Sequence, residues 1–227
     1  MRLKKAFTMV ELLIVIVILA ILASYSIPRF KRDTRSEAIN HILSMIRYTQ
    51  NLALHDTKHS IDDTKWQRSF WRFQIYNCAG GSGIYYMIGT DKNLNRGIGR
   101  AETAIDPANS KFTFWDRRKA CPKSSDDALM QQVSPNIFLT QKYGINSVTF
   151  NCRVRTNRVY NSRAKYIGFD NFGRPIHSWS TTRPNYWGHI VGQCRIRFNF
   201  IDNSIDPFTI IVEPESGYAY LEENNKL

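Results

Sequence analysis

Two short stretches place arginines at alternate positions beside a cysteine. They are Cys152-Arg153-Val154-Arg155 and Cys194-Arg195-Ile196-Arg197. Side chains in a strand alternate between its two faces, so each stretch predicts a strand with an inward cysteine and outward arginines. The planar guanidinium group suits bidentate contact with phosphate. If Cys152 and Cys194 are bonded to each other, the four arginines share one face and form an anion-binding surface.

Basic residues are concentrated in this part of the chain. Residues 151–200 hold nine bases and one acid, whereas residues 201–227 hold six acids and one base. The predicted DNA-binding residues are Arg153, Arg155, Arg158, Arg163, Lys165, Arg174, Arg195 and Arg197. The aromatic residues that could stack on bases are Tyr160, Trp179, Tyr186 and Trp187. Repulsion among clustered like charges favours a polyanion partner. The alternative is a solvated basic face that balances acidic neighbours, with the tryptophans packed in a core.

A second group of polar residues approximates a calcium loop. Asp91, Asn93, Asn95 and Glu102 occupy loop positions 1, 3, 5 and 12 of the D-x-[DN]-x-[DN]-G-x5-E pattern. Arg96 stands where the pattern has glycine, and only two of the four ligands are acidic. A Ca²⁺ site is therefore one prediction for this loop, and an Asn/Asp-rich surface turn is the alternative.

A glutamate, Glu11, interrupts an apolar run from Met9 to Ala23, which follows a six-residue leader with three basic residues. A carboxylate inside a membrane helix costs about 2.5 to 3.5 kcal/mol on insertion scales, so a partner or a role must compensate. A cleaved secretory signal would be shorter and end in a small-residue cleavage site. A plain membrane anchor would explain the length of the run but not Glu11. The best partner for Glu11 is a new amino terminus.

The segment Phe7-Thr8-Met9-Val10-Glu11-Leu12-Leu13 resembles the processing site of type IV pilins and pseudopilins. The resemblance implies that a prepilin peptidase cleaves between Ala6 and Phe7 and that Phe7 is N-methylated. It also implies that Glu11 meets the amino terminus of a neighbouring subunit during assembly. The family usually has glycine where this chain has Ala6. Pro28 matches a helix-kinking proline that the family often places there.

Hydropathy, helical spacing and the resemblance to pilins together predict four parts of the chain. Residues 1–6 form the cleaved leader, 7–28 a transmembrane and assembly helix, 29–58 an amphipathic helix, and 59–227 a β-rich periplasmic head. Apolar residues recur at helical spacing at Ile39, Ile42, Leu43, Ile46, Ala53 and Leu54, with Gln50 as an interruption. This spacing predicts that the helix continues past the kink to about His55. Alternating segments predict strands at 71–76, 85–88, 148–154, 166–169, 195–200 and 209–212. The predicted fold is α+β and pilin-like: a long amino-terminal helix whose second half packs on an antiparallel sheet.

Three segments resemble the H-type minor pseudopilins, the GspH/FimT group. They are the helix end at residues 47–54, the strand and glycine turn at 166–175, and the closing strand and turn at 210–218. Residues 56–150 have no clear counterpart and are interpreted as an insertion. The FimT-like members of this group are associated with DNA binding during natural transformation.

Cys78, Cys121, Cys152 and Cys194 all lie beyond the apolar run, where an oxidising periplasm would pair them as disulfides. Four cysteines allow three connectivities, and the sequence does not choose among them. The absence of a C-x-x-C pair makes zinc or redox chemistry the weaker reading. No nucleophile elbow, phosphate-binding loop or clustered acid pair is present, so we do not expect an enzyme.

These patterns predict a single-pass inner-membrane minor pilin or pseudopilin of a type IV pilus or type II secretion-like assembly. Its expected partners are other pilin or pseudopilin subunits, prepilin peptidase, the inner membrane and DNA. The expected role is DNA uptake through the basic face. The alternatives are a secretion pseudopilin for protein export and a purely structural filament subunit, neither of which binds nucleic acid.

Overall fold

The computed structural model describes residues 8–26, 33–57, 63, 65–95, 97–123, 128–155, 159–161, 165–177 and 187–222. The chain divides into two compact units, Met1–Thr34 and Arg35–Leu227. The second unit is called the head.

The first unit contains helix α1, Met9–Ser26, whose sequence is apolar except for Glu11, Ser24, Tyr25 and Ser26. Between Met9 and Leu22 its large apolar side chains are 45% to 90% exposed. Among the described residues, no helix combines the length and the hydropathy needed to cross a membrane. The predicted kink at Pro28 and the predicted cleavage site at Ala6 and Phe7 lie outside the described residues.

The head begins with helix α2, Thr34–Leu54, which ends one residue before the predicted limit at His55. Its buried residues recur at helical spacing and form one apolar stripe: Ala38, Ile39, Ile42, Met45, Ile46, Thr49 and Ala53. Leu54, which the spacing placed on the same stripe, is instead 49% exposed at the helix end.

Eleven strands follow in the described part of the head. They are β1 Trp71–Asn77, β2 Ile84–Gly89, β3 Ile105–Asp106, β4 Lys111–Phe112, β5 Ile145–Arg153, β6 Val159–Asn161, β7 Tyr166–Phe169, β8 Pro175–Ile176, β9 Cys194–Phe200, β10 Phe208–Val212 and β11 Ala219–Leu221. A short helix α3, Leu139–Tyr143, precedes β5. All six strands predicted from alternation are present, with ends shifted by at most three residues.

The strands form two main antiparallel sheets. A four-stranded sheet has the order β2-β1-β7-β8, a five-stranded sheet has the order β11-β10-β9-β5-β6, and β3 pairs with β4. One buried cluster joins the apolar stripe of α2 to the inner faces of both sheets. The helix is also hydrogen-bonded to both: His41 Nε2 lies 2.8 Å from Tyr86 Oη, and Arg47 Nη2 donates to Ala219 O at 2.8 Å. The predicted α+β class is therefore confirmed.

Residues 56–150, interpreted from the sequence as an insertion, belong to the same compact unit as the rest of the head. They supply β1 and β2, and β1 pairs directly with β7. The loops after β2 cover the second face of this sheet, where Tyr85 Oη donates to Trp115 O at 2.9 Å. This segment therefore contributes to the head's own core.

Two disulfides close the head, Cys78–Cys121 and Cys152–Cys194. They decide the connectivity that the sequence left open. Cys152–Cys194 joins the neighbouring strands β5 and β9, and Cys78–Cys121 joins the end of β1 to the loop after β4. Because all four cysteines are bonded, none offers a thiolate to a metal ion.

Candidate functional site: the assembly segment and the arginine face

Glu11 is held in the first turn of α1 by Thr8. The backbone N and the Oγ1 of Thr8 both donate to Glu11 Oε2 at 2.8 Å, and Glu11 N donates to Thr8 Oγ1 at 3.3 Å. This reciprocal arrangement is a capping box, and its sequence signature is T-x-x-E. The positive end of the helix dipole also favours a carboxylate there. Sequence analysis singled out Glu11 but missed Thr8, which that signature would have revealed.

The two arginine stretches lie side by side in the five-stranded sheet. β5 pairs with β9 so that Asn151 faces Arg195 and Thr149 faces Arg197. Cys152, Cys194 and Ile196 are buried, whereas Arg153, Arg195 and Arg197 are exposed. We call these three residues the arginine face. It has the strand alternation and the cysteine pairing that the sequence analysis required.

Acidic and amide groups moderate the charge of this face. Arg195 Nη2 lies 3.2 Å from Glu222 Oε1, next to the end of β11, and the two side chains are 53% and 30% exposed. Arg197 Nε donates to Asn199 Oδ1 at 3.3 Å. Glu222, one of the six acids in residues 201–227, therefore lies beside a base of the arginine face. This pairing reduces the repulsion that the sequence predicted.

The other predicted DNA-binding residues do not all join this face. Arg155 follows β5, and its backbone N donates to His189 O at 3.1 Å. Lys165 lies before β7 beside the other sheet, where its carbonyl accepts from Ile75 N at 2.7 Å. Arg158 and Arg163 lie outside the described residues. So do the side chains of Tyr160, Trp179 and Tyr186, whereas Trp187 is 59% exposed.

Arg155 and Arg174 instead line a cleft of about 230 Å³ with His189, Val191 and Glu215. Beside this cleft, the buried carboxylate of Asp170 accepts from Arg174 Nε at 2.8 Å and from His189 Nε2 at 3.2 Å. Burial raises the pKa of Asp170, but the hydrogen bonds from His189 and Arg174 outweigh it and hold the pKa below its usual value. Part of the charge of Arg174 is therefore neutralised within the head.

The predicted calcium ligands share one loop that is closed by its own hydrogen bonds. Glu102 accepts from Asn93 N at 3.0 Å and Gly99 N at 2.7 Å, and Asp91 Oδ1 accepts from Asn95 N at 3.0 Å. Among the described residues, no group of three His, Cys, Asp or Glu side chains is arranged to hold a metal ion. The Ca²⁺ site stays a prediction, and the contacts are those of an Asn/Asp-rich turn.

The comparisons with known proteins bear on the amino-terminal segment. Residues 1–26 match the prokaryotic N-terminal methylation motif. The chain carries a type IV pilin-like prepilin signal. No curated protein and no solved structure is significantly similar to the chain. The prepilin signal covers Ala6, Phe7 and Glu11, and it supports a pilin or pseudopilin subunit that is processed by a prepilin peptidase and assembles with other pilin subunits.

A junction at the carboxyl end of α2 was missed by sequence analysis. Gln50, which interrupted the predicted apolar stripe, donates through Nε2 to Gly173 O at 2.9 Å and to Ser216 O at 2.7 Å. Gly173 and Gly217 both have positive φ, and a Cβ on Gly217 would lie 2.2 Å from Gly173 O. Gln50 therefore ties two turns together, those after β7 and after β10, at a point where only glycine fits.

Proposed function

We propose that this chain is a minor pilin or pseudopilin of a type IV pilus or type II secretion-like assembly, similar to the H-type minor pseudopilins. Prepilin peptidase cleaves it between Ala6 and Phe7, and Phe7 is N-methylated. One observation carries this proposal: the methylation motif at residues 1–26 includes α1, an apolar helix with a single acid, Glu11.

The proposed location is the inner membrane, with residues 7–28 as a single span and the head in the periplasm. These 22 residues at about 1.5 Å per residue form a helix roughly 33 Å long, close to the thickness of a bilayer core. The leader's Arg2, Lys4 and Lys5 favour a cytoplasmic leader by the positive-inside rule. Two disulfides in the head agree with an oxidising compartment.

In the proposed assembly step, Glu11 exchanges one partner for another. In the single subunit its carboxylate accepts from Thr8, and in a filament it pairs with the positive amine of a neighbour's Phe7. That amine carries a full charge, and two opposite charges attract more strongly in a low-dielectric bilayer than in water. The exchange therefore favours assembly inside the membrane, where both groups are shielded from water.

Mass spectrometry of the amino terminus tests the processing step. The chain, made in cells with a prepilin peptidase, should yield a mature form that begins at N-methylated Phe7. An Ala6→Gly variant, which restores the usual family residue, should be processed at least as completely. An Ala6→Val variant should accumulate uncleaved. A wild-type terminus at any position other than Phe7 would overturn the proposal.

DNA binding through the arginine face is the second proposed function, as part of DNA uptake for natural transformation. The observation that favours it is the placement of Arg153, Arg195 and Arg197 on one exposed surface of β5 and β9. Backbone recognition of this kind is independent of sequence and strongly dependent on salt. The Arg195–Glu222 ion pair favours the alternative, a balanced surface in a secretion pseudopilin or structural subunit.

A salt titration distinguishes these functions. Full-length protein in nonionic detergent should bind single-stranded DNA, and changing the three arginines of the face to glutamine should flatten the salt slope by about two units, since each phosphate contact on a single strand contributes about 0.7. The control variant replaces Arg117, Arg118 and Lys119 with glutamine, an equal loss of charge elsewhere on the head. An equal effect of both triple variants, or no binding at low salt, would exclude the arginine face as a DNA site.

A further inference from the structure

A cleft of about 310 Å³ lies on the second face of the four-stranded sheet, within residues 56–150. Its walls include Tyr76, Met87, Ile98, Phe114 and Trp115. The volume is at the lower end of the range for small-molecule sites, which are usually lined by apolar and aromatic side chains. The assembly segment and the arginine face share none of these residues.

The aromatic walls are fixed by contacts that use up their polar groups. Tyr76 and Tyr85 are cross-strand partners on β1 and β2, and their rings stack with centroids 5.6 Å apart and planes 20° apart. Tyr85 Oη donates to Trp115 O at 2.9 Å, and Trp115 Nε1 donates to Ala120 O at 3.2 Å. Because the hydroxyl of Tyr85 and the indole N–H are already bonded, these two side chains offer the cleft mainly ring surface.

A covalent bond holds the two sides of the cleft together. Cys78, two residues after Tyr76, is bonded to Cys121 in the loop that carries Phe114 and Trp115. In addition, Ala79 N donates to Lys119 O at 2.9 Å, and Cys121 N donates to Ser82 Oγ at 2.8 Å. A site that is already ordered loses less conformational freedom when a ligand binds.

The mouth of the cleft carries positive charge. Arg117 and Arg118 line it and are exposed, and within the described residues no ion pair engages either guanidinium. The neighbouring carboxylate of Asp116 accepts from Arg118 N at 2.9 Å, a contact that closes its own turn. Two guanidinium groups against one carboxylate leave the mouth suited to an anion.

We propose that this cleft binds a small molecule with a flat aromatic ring and an anionic substituent, such as an aromatic carboxylate. The ring packs against Tyr76, Phe114 and Ile98, where offset or edge contacts with aromatic side chains are favourable. The anionic group is held at the mouth by Arg117 and Arg118. This site is independent of the proposed filament and DNA functions, because its residues take no part in either.

The test uses 4-(trifluoromethyl)benzoate as probe and its neutral amide, 4-(trifluoromethyl)benzamide, as the matched compound. Binding to the full-length chain in lipid nanodiscs is followed by the ¹⁹F relaxation of each probe, with empty nanodiscs as the blank. The benzoate should bind more tightly than the amide. Changing Arg117 and Arg118 to glutamine should weaken benzoate binding by about tenfold or more, because the loss of a hydrogen bond to a charged group changes a binding constant by about this factor.

Two further variants decide whether the probe occupies this cleft. Gly97→Phe adds a ring at an exposed lining position and should block both probes. A double change of Lys119 and Lys123 to glutamine removes the same charge from the same loop and should leave both affinities unchanged. Equal binding of benzoate and amide, or an equal loss in the arginine and lysine double variants, would overturn the proposal. So would benzoate binding that survives Gly97→Phe in a correctly folded protein.

Discussion

The two long helices of this chain differ in whether their apolar side chains are buried. The helix α2 buries its apolar stripe in the head, where Ile42 and Ile46 have no exposed surface. The helix α1 is apolar on all sides, and its large side chains up to Leu22 are at least 45% exposed. A helix that is apolar all round needs lipid or other protein as its surroundings. The apolar residues of α2 therefore stabilise the fold of the head, whereas the apolar surface of α1 is available for contact with lipid or other subunits.

The largest expected effect comes from removing Glu11, the acid in the first turn of α1. Glu11→Ala should still insert into the membrane, but its incorporation into filaments should fall by more than about tenfold. The variant loses the charge pair with the neighbour's amino terminus, and opposite charges attract more strongly in a low-dielectric bilayer than in water. Incorporation is measured as the amount of subunit in the sheared filament fraction.

Glu37→Ala is the matched control, because Glu37 occupies the first turn of α2. Its carboxylate lies 4.0 Å from Lys142 Nζ in a partly exposed pair, which contributes little to stability. This variant should assemble normally. If both variants assemble equally well, Glu11 has no special part in assembly and the contrast between the helices fails at its most important residue.

The next largest effect is on the free energy of unfolding of the head, to which α2 should contribute and α1 should not. Ile42→Ala should lower the free energy of unfolding of the head by about 2 to 5 kcal/mol, because it leaves a cavity beneath both sheets. Ile16→Ala, in the exposed surface of α1, should change it by less than about 0.5 kcal/mol. Denaturant unfolding followed by tryptophan fluorescence measures both, since the five tryptophans all lie beyond residue 65. Equal losses would show that the head does not bury α2 as described.

The pH dependence of stability sharpens the same contrast through His41 in α2. Burial lowers the pKa of His41 to about 4 from its usual 6.5, with Lys142 acting in the same direction and Asp106 and Glu37 opposing it. The unfolded chain therefore binds a proton that the folded chain does not as the pH falls below 6.5. The free energy of unfolding should decrease between about pH 6.5 and pH 4 by about 3 kcal/mol in total.

Denaturation midpoints at several pH values test this expectation. In His41→Gln, which has no titratable ring, the decrease between pH 6.5 and pH 4 should be much smaller. The buried carboxylates Asp106 and Asp170, whose pKa values lie below the usual range, affect stability at lower pH. A wild-type midpoint that stays constant over this range would mean that His41 is protonated in the folded head.

Sequence patterns revealed features that depend on neighbours along the chain. The six strands follow from alternation, the end of α2 from helical spacing, and the outward orientation of Arg153 and Arg195 from the period of a strand. Gln50 was read as an interruption because its two partners, Gly173 and Ser216, are 123 and 166 residues away. The cysteine connectivity and the aromatic cleft likewise depend on contacts between distant segments. Contacts between distant segments leave no periodic pattern in the local sequence.

The two disulfides have a mechanical consequence. Cys78–Cys121 and Cys152–Cys194 join residues 43 and 42 positions apart. A chain segment of that length, fully stretched, spans roughly 140 Å. If a filament is pulled through α1 while the last strand of the head is held, neither segment can lengthen even when its strands separate. A subunit under tension would then extend only in the segments outside the two covalent loops, and β5 and β9 would stay joined at Cys152–Cys194, beside the arginine face.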